Sequence, residues 1–564
     1  MVQETNYWKK GLSSRISRRR LLVGAAGGAA GMALTGCGGG EEKEKSATGG
    51  PPPAEATPKH GGQWESSIIS GWTIDPQESN VGAALVSYHV YSHMFGNRLD
   101  TGETLMIAAK EMEQPDDVTY VFTLRDNIHF HDTPDLASKY PDAAGRLVTA
   151  EDVKYSIERF RDMPAGFKDY VLNRMDHVEV SDQFTAKIVN KKPFCWTLSP
   201  HALGNSITCP IVPREVVEKE GDLKNATLGC GAFTLDYASQ TQGIRLVRNP
   251  NYFMPDEPFV DSERFTIIND FETTEAAFRS GQIQTISADN GSQAKILADI
   301  SDTYQVRLPA LRSAEWTVNA RNAPWSDERV VKAVHRAFDR DAMILSVEGG
   351  RSGEDPSEYG LWPAAFPPGQ ELWSLSQEEI RKLTPSYDPG EAKALLSAAG
   401  YDSIDVSLKT VNLGPPMALA QMIATQLSAV GINARLEPMD FVGFVVKVML
   451  QFDYEMSCVI GYPSYSPEQH MREYLTTGNS GAGNIGGYSD PEVDAAYDDI
   501  NGTIDVDQRR EKVHAYQRMI MEKQPPIIYL YSPYSYVQYR DYVKGIVPGA
   551  GDAANYNFRI WLDK

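Results

Sequence analysis

The sequence predicts an α/β protein built from several domains. Segments with a two-residue apolar period and segments with helical spacing and caps are interleaved along the chain rather than gathered into blocks. The chain has 564 residues, and single cores stop growing at about 250–300 residues. Its hydrophobic content of 41%, with 27 Tyr and 9 Trp, is ample for large cores. No internal repeat of solenoid length is present.

The amino terminus reads as an export signal. Ser17-Arg18-Arg19-Arg20-Leu21-Leu22 opens a Gly/Ala-rich apolar stretch that ends at Ala33-Leu34-Thr35-Gly36-Cys37. Residues 21–34 are too few and too Gly-rich to span a bilayer, which takes about 20 apolar residues. Arg18 and Arg19 resemble a twin-arginine signal. Leu-Thr-Gly-Cys resembles a bacterial lipobox, which implies that Cys37 carries lipid and becomes the mature amino terminus. The expected layout is an export signal over residues 1–36, then a lipidated Cys and tether over 37–62. Gly38-Gly39-Gly40, Glu41-Glu42-Lys43-Glu44-Lys45 and Pro51-Pro52-Pro53 cannot bury a core and stay extended. The expected location is the outer face of the cytoplasmic membrane, held by the lipid anchor.

The net charge is −21, and residues 1–36 hold six basic residues against one acid, so the remainder is more acidic still. This excludes nucleic acid, whose binding needs Lys and Arg against phosphate, and an anionic lipid surface apart from the anchor. No run of 18 apolar residues follows Cys37. Cys195, Cys209, Cys230 and Cys458 allow three pairings, and their spacing fits no zinc pattern. Buried thiols are expected, with room for one disulfide in an oxidising compartment.

Tyr120, Phe122 and Leu124 line one face of a strand, with Val121 and Thr123 on the other. Thr149-Ala150-Glu151-Asp152 opens a helix whose Thr hydroxyl is placed to accept from the position-152 N–H. Val153, Ile157 and Phe160 are its apolar stripe. Val178, Val180, Ala186 and Ile188 flank Ser181-Asp182-Gln183 as a hairpin. Residues 243–247 form a strand stopped by Asn249-Pro250. Ser326 is placed to cap a helix carrying Val330, Val331, Val334 and Phe338. Asp388-Pro389 starts another helix, with Leu395 and Leu396 inward and Gly400 as its stop. Asp490-Pro491 repeats that start ahead of Val493, Tyr497 and Ile500.

The block Tyr120-Val121-Phe122-Thr123-Leu124-Arg125-Asp126-Asn127-Ile128-His129-Phe130-His131-Asp132, followed by Leu147-Val148-Thr149-Ala150-Glu151-Asp152-Val153-Lys154-Tyr155-Ser156-Ile157-Glu158-Arg159, resembles the signature of family 5 extracellular solute-binding proteins. Ile74-Asp75-Pro76, Gly229-Cys230-Gly231-Ala232-Phe233, Arg248-Asn249-Pro250-Asn251-Tyr252, Asp339-Arg340, Tyr387-Asp388-Pro389 and Tyr488-Ser489-Asp490-Pro491 agree in the same order. The resemblance runs from about residue 63 to the end. It implies a type II periplasmic-binding-protein-like fold, two lobes with a hinge, in a three-domain variant. Domain I is expected over 63–103, 206–313 and 526–564, domain II over 104–205, and domain III over 314–525. The Asp-Pro and Gly-x-Gly pieces are expected to shape backbone and touch no ligand.

The resemblance implies a receptor that captures a peptide or peptide-sized solute between its lobes and hands it to the permease of an ABC importer, working as a monomer. Candidate ligand contacts are Trp72, Tyr91, His93, Trp316, Asn319, Tyr462 and Tyr465. Peptide receptors of the family resemble one another in an Asp four residues before the proline of the last loop, which pairs with the peptide amino group. Here that count, back from Pro467, reaches Pro463; Asp453 and Glu455 lie upstream and Glu468 follows. A non-peptide solute (an oligosaccharide, an opine-like conjugate or a chelated metal) is therefore the alternative ligand.

His129-x-His131-Asp132 has metal spacing but belongs to an ordinary turn after a strand, so no metal and no cofactor are expected. Gly481-Ala482-Gly483-Asn484-Ile485-Gly486 follows no hydrophobic strand and reads as a loop rather than a dinucleotide site. Gly-x-Ser-x-Gly and His-Glu-x-x-His are absent, so the chain is not expected to be an enzyme. An exported hydrolase or a sensor lipoprotein is the alternative of another class.

Overall fold

The computed structural model describes residues 57–69, 74–77, 81–97, 104–162, 174–199, 203, 210–288, 290–461, 464, 466–477, 484–546 and 559–564. Arg18, Arg19, Cys37, Trp72, Cys209, Tyr462 and Tyr465 lie outside them. Among the described residues no helix is long and apolar enough to cross a membrane. Cys195, Cys230 and Cys458 are free thiols.

Strands and helices are interleaved, as the α/β reading requires. The largest sheet has six strands in the order Gly360–Leu361, Ile527–Pro533, Ala314–Val318, Met456–Ile460, Ile404–Val411 and Ile432–Met439. One face is covered by the helices Glu328–Ala337, Arg340–Glu348, Pro389–Ala398 and Gly414–Ser428, whose apolar side chains enclose Trp316, Val318, Leu408 and Leu530. A second core uses Tyr529 of the same sheet with Tyr474, Tyr497, Tyr516 and Ile520, and draws in Phe194 and Trp196 from far earlier in the chain. Strand Ile527–Pro533 thus feeds both cores, with Ile528 and Leu530 in one and Ile527 and Tyr529 in the other.

Two four-stranded sheets and one three-stranded sheet lie outside that unit. The first joins Gln63–Ile68, parallel, to Ser262–Ile267, then Gly243–Arg248 and Phe233–Ser239. The second holds Ala109–Glu113, Thr119–Leu124, Thr185–Asn190 and Met175–Asp182. Tyr120, Phe122 and Leu124 are buried in it, as the alternation predicts. The hairpin turn falls on Gln183-Phe184, slightly past the expected Ser181-Asp182-Gln183, because the Asp182 carboxylate accepts the Phe184 N–H at 2.9 Å.

The three-stranded sheet is joined to the six-stranded one by two stretches of chain. Thr303–Leu308 pairs there with Ser535–Arg540. The same two stretches of chain continue into the six-stranded sheet as Ala314–Val318 and Ile527–Pro533, again paired. Two neighbouring segments, residues 309–313 and Tyr534, therefore carry the chain between the sheets. Ile527–Pro533 hydrogen-bonds into the larger sheet, and the chain leaves that sheet at Tyr534.

Local chemistry accounts for the helix starts. Asp388 and Asp490 cap their helices ahead of a first-turn proline, accepting from Glu391 N at 2.8 Å and Glu492 N at 2.9 Å. Gly400, at φ +90°, ends the first of them. Ser326 is not the cap of Glu328–Ala337. Asp327 is, with its carboxylate 2.9 Å from Arg329 N. Thr149 is reversed in role. Arg146 grips the Asp152 carboxylate at 2.7 and 2.9 Å and holds it toward Thr149, so the threonine donates its N–H (2.8 Å) and hydroxyl (3.2 Å) to it, and the Asp152 N–H is accepted by the Thr149 carbonyl at 3.0 Å rather than by the hydroxyl.

Candidate functional site

The strand Ala314–Val318 has two faces. Ala314, Trp316 and Val318 point into the helix-covered core. Glu315 points the other way and is 2% exposed. Its Oε1 lies 3.4 Å from Nε2 of His470, which is 3% exposed. The His470 ring lies 5.4 Å from both Tyr474 and Tyr529, and those two rings meet edge-on at 6.1 Å. Burial first, and the Glu315 charge second, push both phenols well above their ordinary range.

The backbone at Gly461, which leads into the loop 461–467, covers this group. Gly461 N donates to Ser313 O at 2.8 Å, and Arg312 Nε donates to Gly461 O at 3.1 Å. Ser464 N donates to Leu311 O, and Gln370 Nε2 donates to Ser464 O at 2.9 Å. The loop after Met456–Ile460 is therefore stitched to the outgoing crossing segment. Glu315 Oε2, Ser313 Oγ, Tyr529 Oη and Gln370 Oε1 are buried and have no hydrogen-bond partner among the described residues. A buried polar atom left unpaired costs about 1–3 kcal/mol. Several of these atoms lie where the crossing segment 309–313 and the strands Ala314–Val318 and Ile527–Pro533 meet the backbone at Gly461.

The other candidate contacts among the described residues have partners within the protein. Trp316 is fully buried between Trp325 (6.1 Å) and Phe338 (5.8 Å), on the face away from Glu315. Its truncation will therefore unsettle the fold. Asn319 is buried and donates to the carbonyls of Phe452 (3.1 Å) and Tyr454 (3.4 Å), tying strand to loop. Tyr91 is buried with its hydroxyl 3.4 Å from Ala226 O. His93 is buried with Nε2 3.3 Å from Ser87 Oγ, and it bridges to Pro210. The pair read as metal-spaced is engaged with backbone: His129 Nδ1 lies 3.1 Å from Gly145 O, and His131 Nε2 lies 3.0 Å from Gly231 O.

Sequence reasoning passed over Glu315. The signal was present, because an acid between Ala314 and Trp316 on a strand must face opposite to the tryptophan.

Glu468, which follows the loop, faces a different set of partners. Its Oε1 accepts from Tyr497 Oη at 2.8 Å, and Arg174 Nη2 donates to the same hydroxyl at 2.9 Å. Arg174 also lies 4.5 Å over the Phe194 ring. Burial raises the Glu468 carboxyl to about 7, against a smaller lowering by the Tyr497 hydrogen bond. With the folded value above the unfolded one, the neutral acid's contribution to stability is present at low pH and is lost as pH rises toward about 7. E468Q should therefore lose less stability than the unmodified chain between pH 5 and pH 8, by a difference on the order of 3 kcal/mol at most. Urea unfolding at the two pH values measures it, and equal losses would contradict the burial argument.

A groove of about 560 Å³ also opens at the edge of the large sheet, beside Asp405, Ser407, Asn433, Arg435 and Glu455. Its polar groups pair with one another, Ser407 with Glu455 and Asn433 with Asp405, so it offers a solute little that is unmet.

The model of the family described as bacterial extracellular solute-binding proteins, family 5 Middle, matches residues 104–483. The glutathione-binding protein GsiB of Salmonella paratyphi A is 26% identical over 373 residues, covering 65% of this chain and 67% of that protein. GsiB of Escherichia coli K12 is 25% identical with the same coverage. The periplasmic binding protein DppA of Helicobacter pylori, solved with the peptide STSA, shares the fold with a TM-score of 0.75 at 20% identity, over 90% of this chain and 99% of that one. AgaA of A. tumefaciens R10, solved with agropinic acid, gives a TM-score of 0.74 at 21% identity with the same coverage.

Proposed function

The chain belongs to the bacterial extracellular solute-binding proteins of family 5, and from that premise we propose that it captures a peptide or peptide-sized solute between two lobes and delivers it to an ABC permease. One lobe is built on the six-stranded sheet and the other on the remaining sheets. The observation that carries this reading is the pair of adjacent crossings, 309–313 and Tyr534, with a buried and incompletely paired polar group beside them. Bending at two neighbouring crossings lets the lobes rotate as bodies without breaking either sheet. The matched proteins are binding proteins, and the function requires no bond in the solute to break.

Finer features of the proposal rest on sequence. Arg18 and Arg19 would direct export, and lipid on Cys37 would hold a monomeric receptor to the outer face of the cytoplasmic membrane by the tether 37–62. Trp72, Tyr462 and Tyr465 stay as proposed aromatic contacts. The loop carries no acid between Pro463 and Pro467, which favours a non-peptide solute as the second reading.

Calorimetry with glutathione and short peptides, followed by small-angle scattering, tests the proposal. A bound solute should reduce the radius of gyration, since a ligand shifts an open–closed balance only by preferring the closed form. Unchanged compactness at saturation, or turnover of the solute, would overturn it.

A further inference from the structure

We propose that Phe194 and Trp196, with Arg174, form a clasp between the two lobes, a contact outside the solute site that holds the solute-free protein closed and parts each time it opens. The inference rests on the two-lobe reading above and goes beyond it, because the clasp needs no solute.

The clasp residues are fastened to the hairpin sheet. Lys191 N donates to Arg174 O at 2.8 Å, Asn190 Nδ2 to Thr197 Oγ1 at 2.7 Å, and Tyr120 Oη to Phe194 O at 3.3 Å. That sheet is in turn tied to the lobe of the smaller sheets. His131 N donates to Gly229 O at 2.8 Å, and Asn127 Nδ2 donates to Phe253 O at 3.2 Å.

Their partners belong to the other lobe, on the helices Pro491–Asn501 and Val506–Lys523 and beside Trp373. Phe194 and Trp196 are buried there in the core that holds Tyr497, Val513 and Tyr516. Arg174 lies 4.5 Å over Phe194 and 5.5 Å over Tyr497, whose hydroxyl accepts its Nη2 at 2.9 Å. From the opposite lobe, Arg509 lies 4.8 Å over Trp196 and 5.0 Å over Trp373, and those two rings meet edge-on at 5.0 Å. Backbone joins in: Cys195 N donates to Asn501 O at 2.9 Å, and Arg509 Nη1 donates to Cys195 O at 3.2 Å.

Two features suit this contact to separation. The hairpin sheet and the six-stranded sheet share no strand pairing, so rotation at 309–313 and Tyr534 withdraws side chains and tears no ladder. Trp196 Nε1, Arg509 Nε and both polar side-chain atoms of Asn501 are buried without a hydrogen-bond partner among the described residues. Each is costly while enclosed and regains water on opening, which offsets part of the apolar burial that favours closure. A closed form reached in this way raises the apparent affinity for every solute alike, through the population of that form.

Cys195 supplies the test, because its Sγ faces Ile500 O at 3.4 Å across the contact. Cys230 and Cys458 are buried within the separate lobes and serve as internal references. The solute-free full chain is treated with a thiol reagent over a range of urea below the unfolding transition, and peptide mass spectrometry reads each cysteine. Cys195 should be modified at least about tenfold faster than the other two, with a much shallower urea dependence, since parting the lobes exposes far less surface than unfolding. W196A should speed Cys195 further, leave Cys230 and Cys458 slow, and enlarge the radius of gyration of the solute-free protein in small-angle scattering. Modification of Cys195 at the rate and urea dependence of global unfolding overturns the inference, because the segment then belongs permanently to the larger lobe. Faster Cys195 modification with an unchanged radius of gyration in W196A also overturns it, because the segment then frays alone. Should Cys230 and Cys458 become fast in W196A, that variant has lost its fold, and R174Q decides by the same two readings. Either overturning result leaves solute capture standing, which calorimetry tests separately.

Discussion

Truncating Trp316 to alanine will cost the protein about 3–5 kcal/mol of folding stability, the usual range for emptying a large aromatic site in a packed core. The residue sits on a strand hydrogen-bonded on both sides, to Met456–Ile460 and to Ile527–Pro533. Its ring is enclosed edge-on by Trp325 and Phe338 and by the aliphatic side chains of the covering helices. Neither neighbouring strand can move inward to fill the void without breaking the ladder. W316F should recover much of the loss by restoring ring volume. Guanidinium unfolding measures both. A W316A variant that keeps its stability within about 1 kcal/mol while losing solute affinity would show that the ring faces the solute after all.

The second large effect is expected at Asp75. Its side chain and that of Arg159 are almost fully enclosed, and they pair through Arg159 Nη2 to Asp75 Oδ2 at 2.7 Å and Nη1 to Oδ1 at 3.3 Å. Asp75 further accepts the N–H groups of Gln77 (3.1 Å) and Leu223 (3.2 Å), so one carboxylate ties together three remote parts of the chain. Removing one partner of such a pair strands the other charge in a poorly solvating place, at a cost of about 3–5 kcal/mol. D75A and R159M should each show that loss, and the double variant should lose much less than the sum. Additive losses would mean that the two side chains act independently. The pairing also gives the Asp-Pro piece its reason: the aspartate is held by the arginine that closes the signature helix.

Much of the architecture could be read locally. Tyr120, Phe122 and Leu124 bury one face as their period demands. Asp388 and Asp490 cap their helices, because a carboxylate ahead of a first-turn proline is already poised to accept the free N–H groups there. Gly229 and Gly231 are glycines because a Cβ at either would meet the backbone oxygens of Val90 and His89, at 2.0 and 2.5 Å. Where local reading slipped, a longer-range partner intervened. Arg146 turned Asp152 toward Thr149 and reversed the expected cap.

The candidate site was far less accessible to such reading. Tyr91, His93, Trp316 and Asn319 lie in segments that looked right for a cleft, but each side chain is engaged within the protein. Glu315 adjoins one of them and faces the other way. A period of two says that neighbours on a strand part company; it does not say which face meets a core and which meets a guest.

The α/β class followed from order, spacing and composition, because caps, turns and alternation are set by backbone chemistry over a few residues, and the family followed from the resemblance of its ordered motifs. The partners of Asp75, the outward return of the chain at Tyr534 and the meeting of Glu315, Gly461 and His470 were decided only when distant segments packed together. Those contacts join residues scores of positions apart, and their energies depend on burial and geometry that no short stretch of sequence carries.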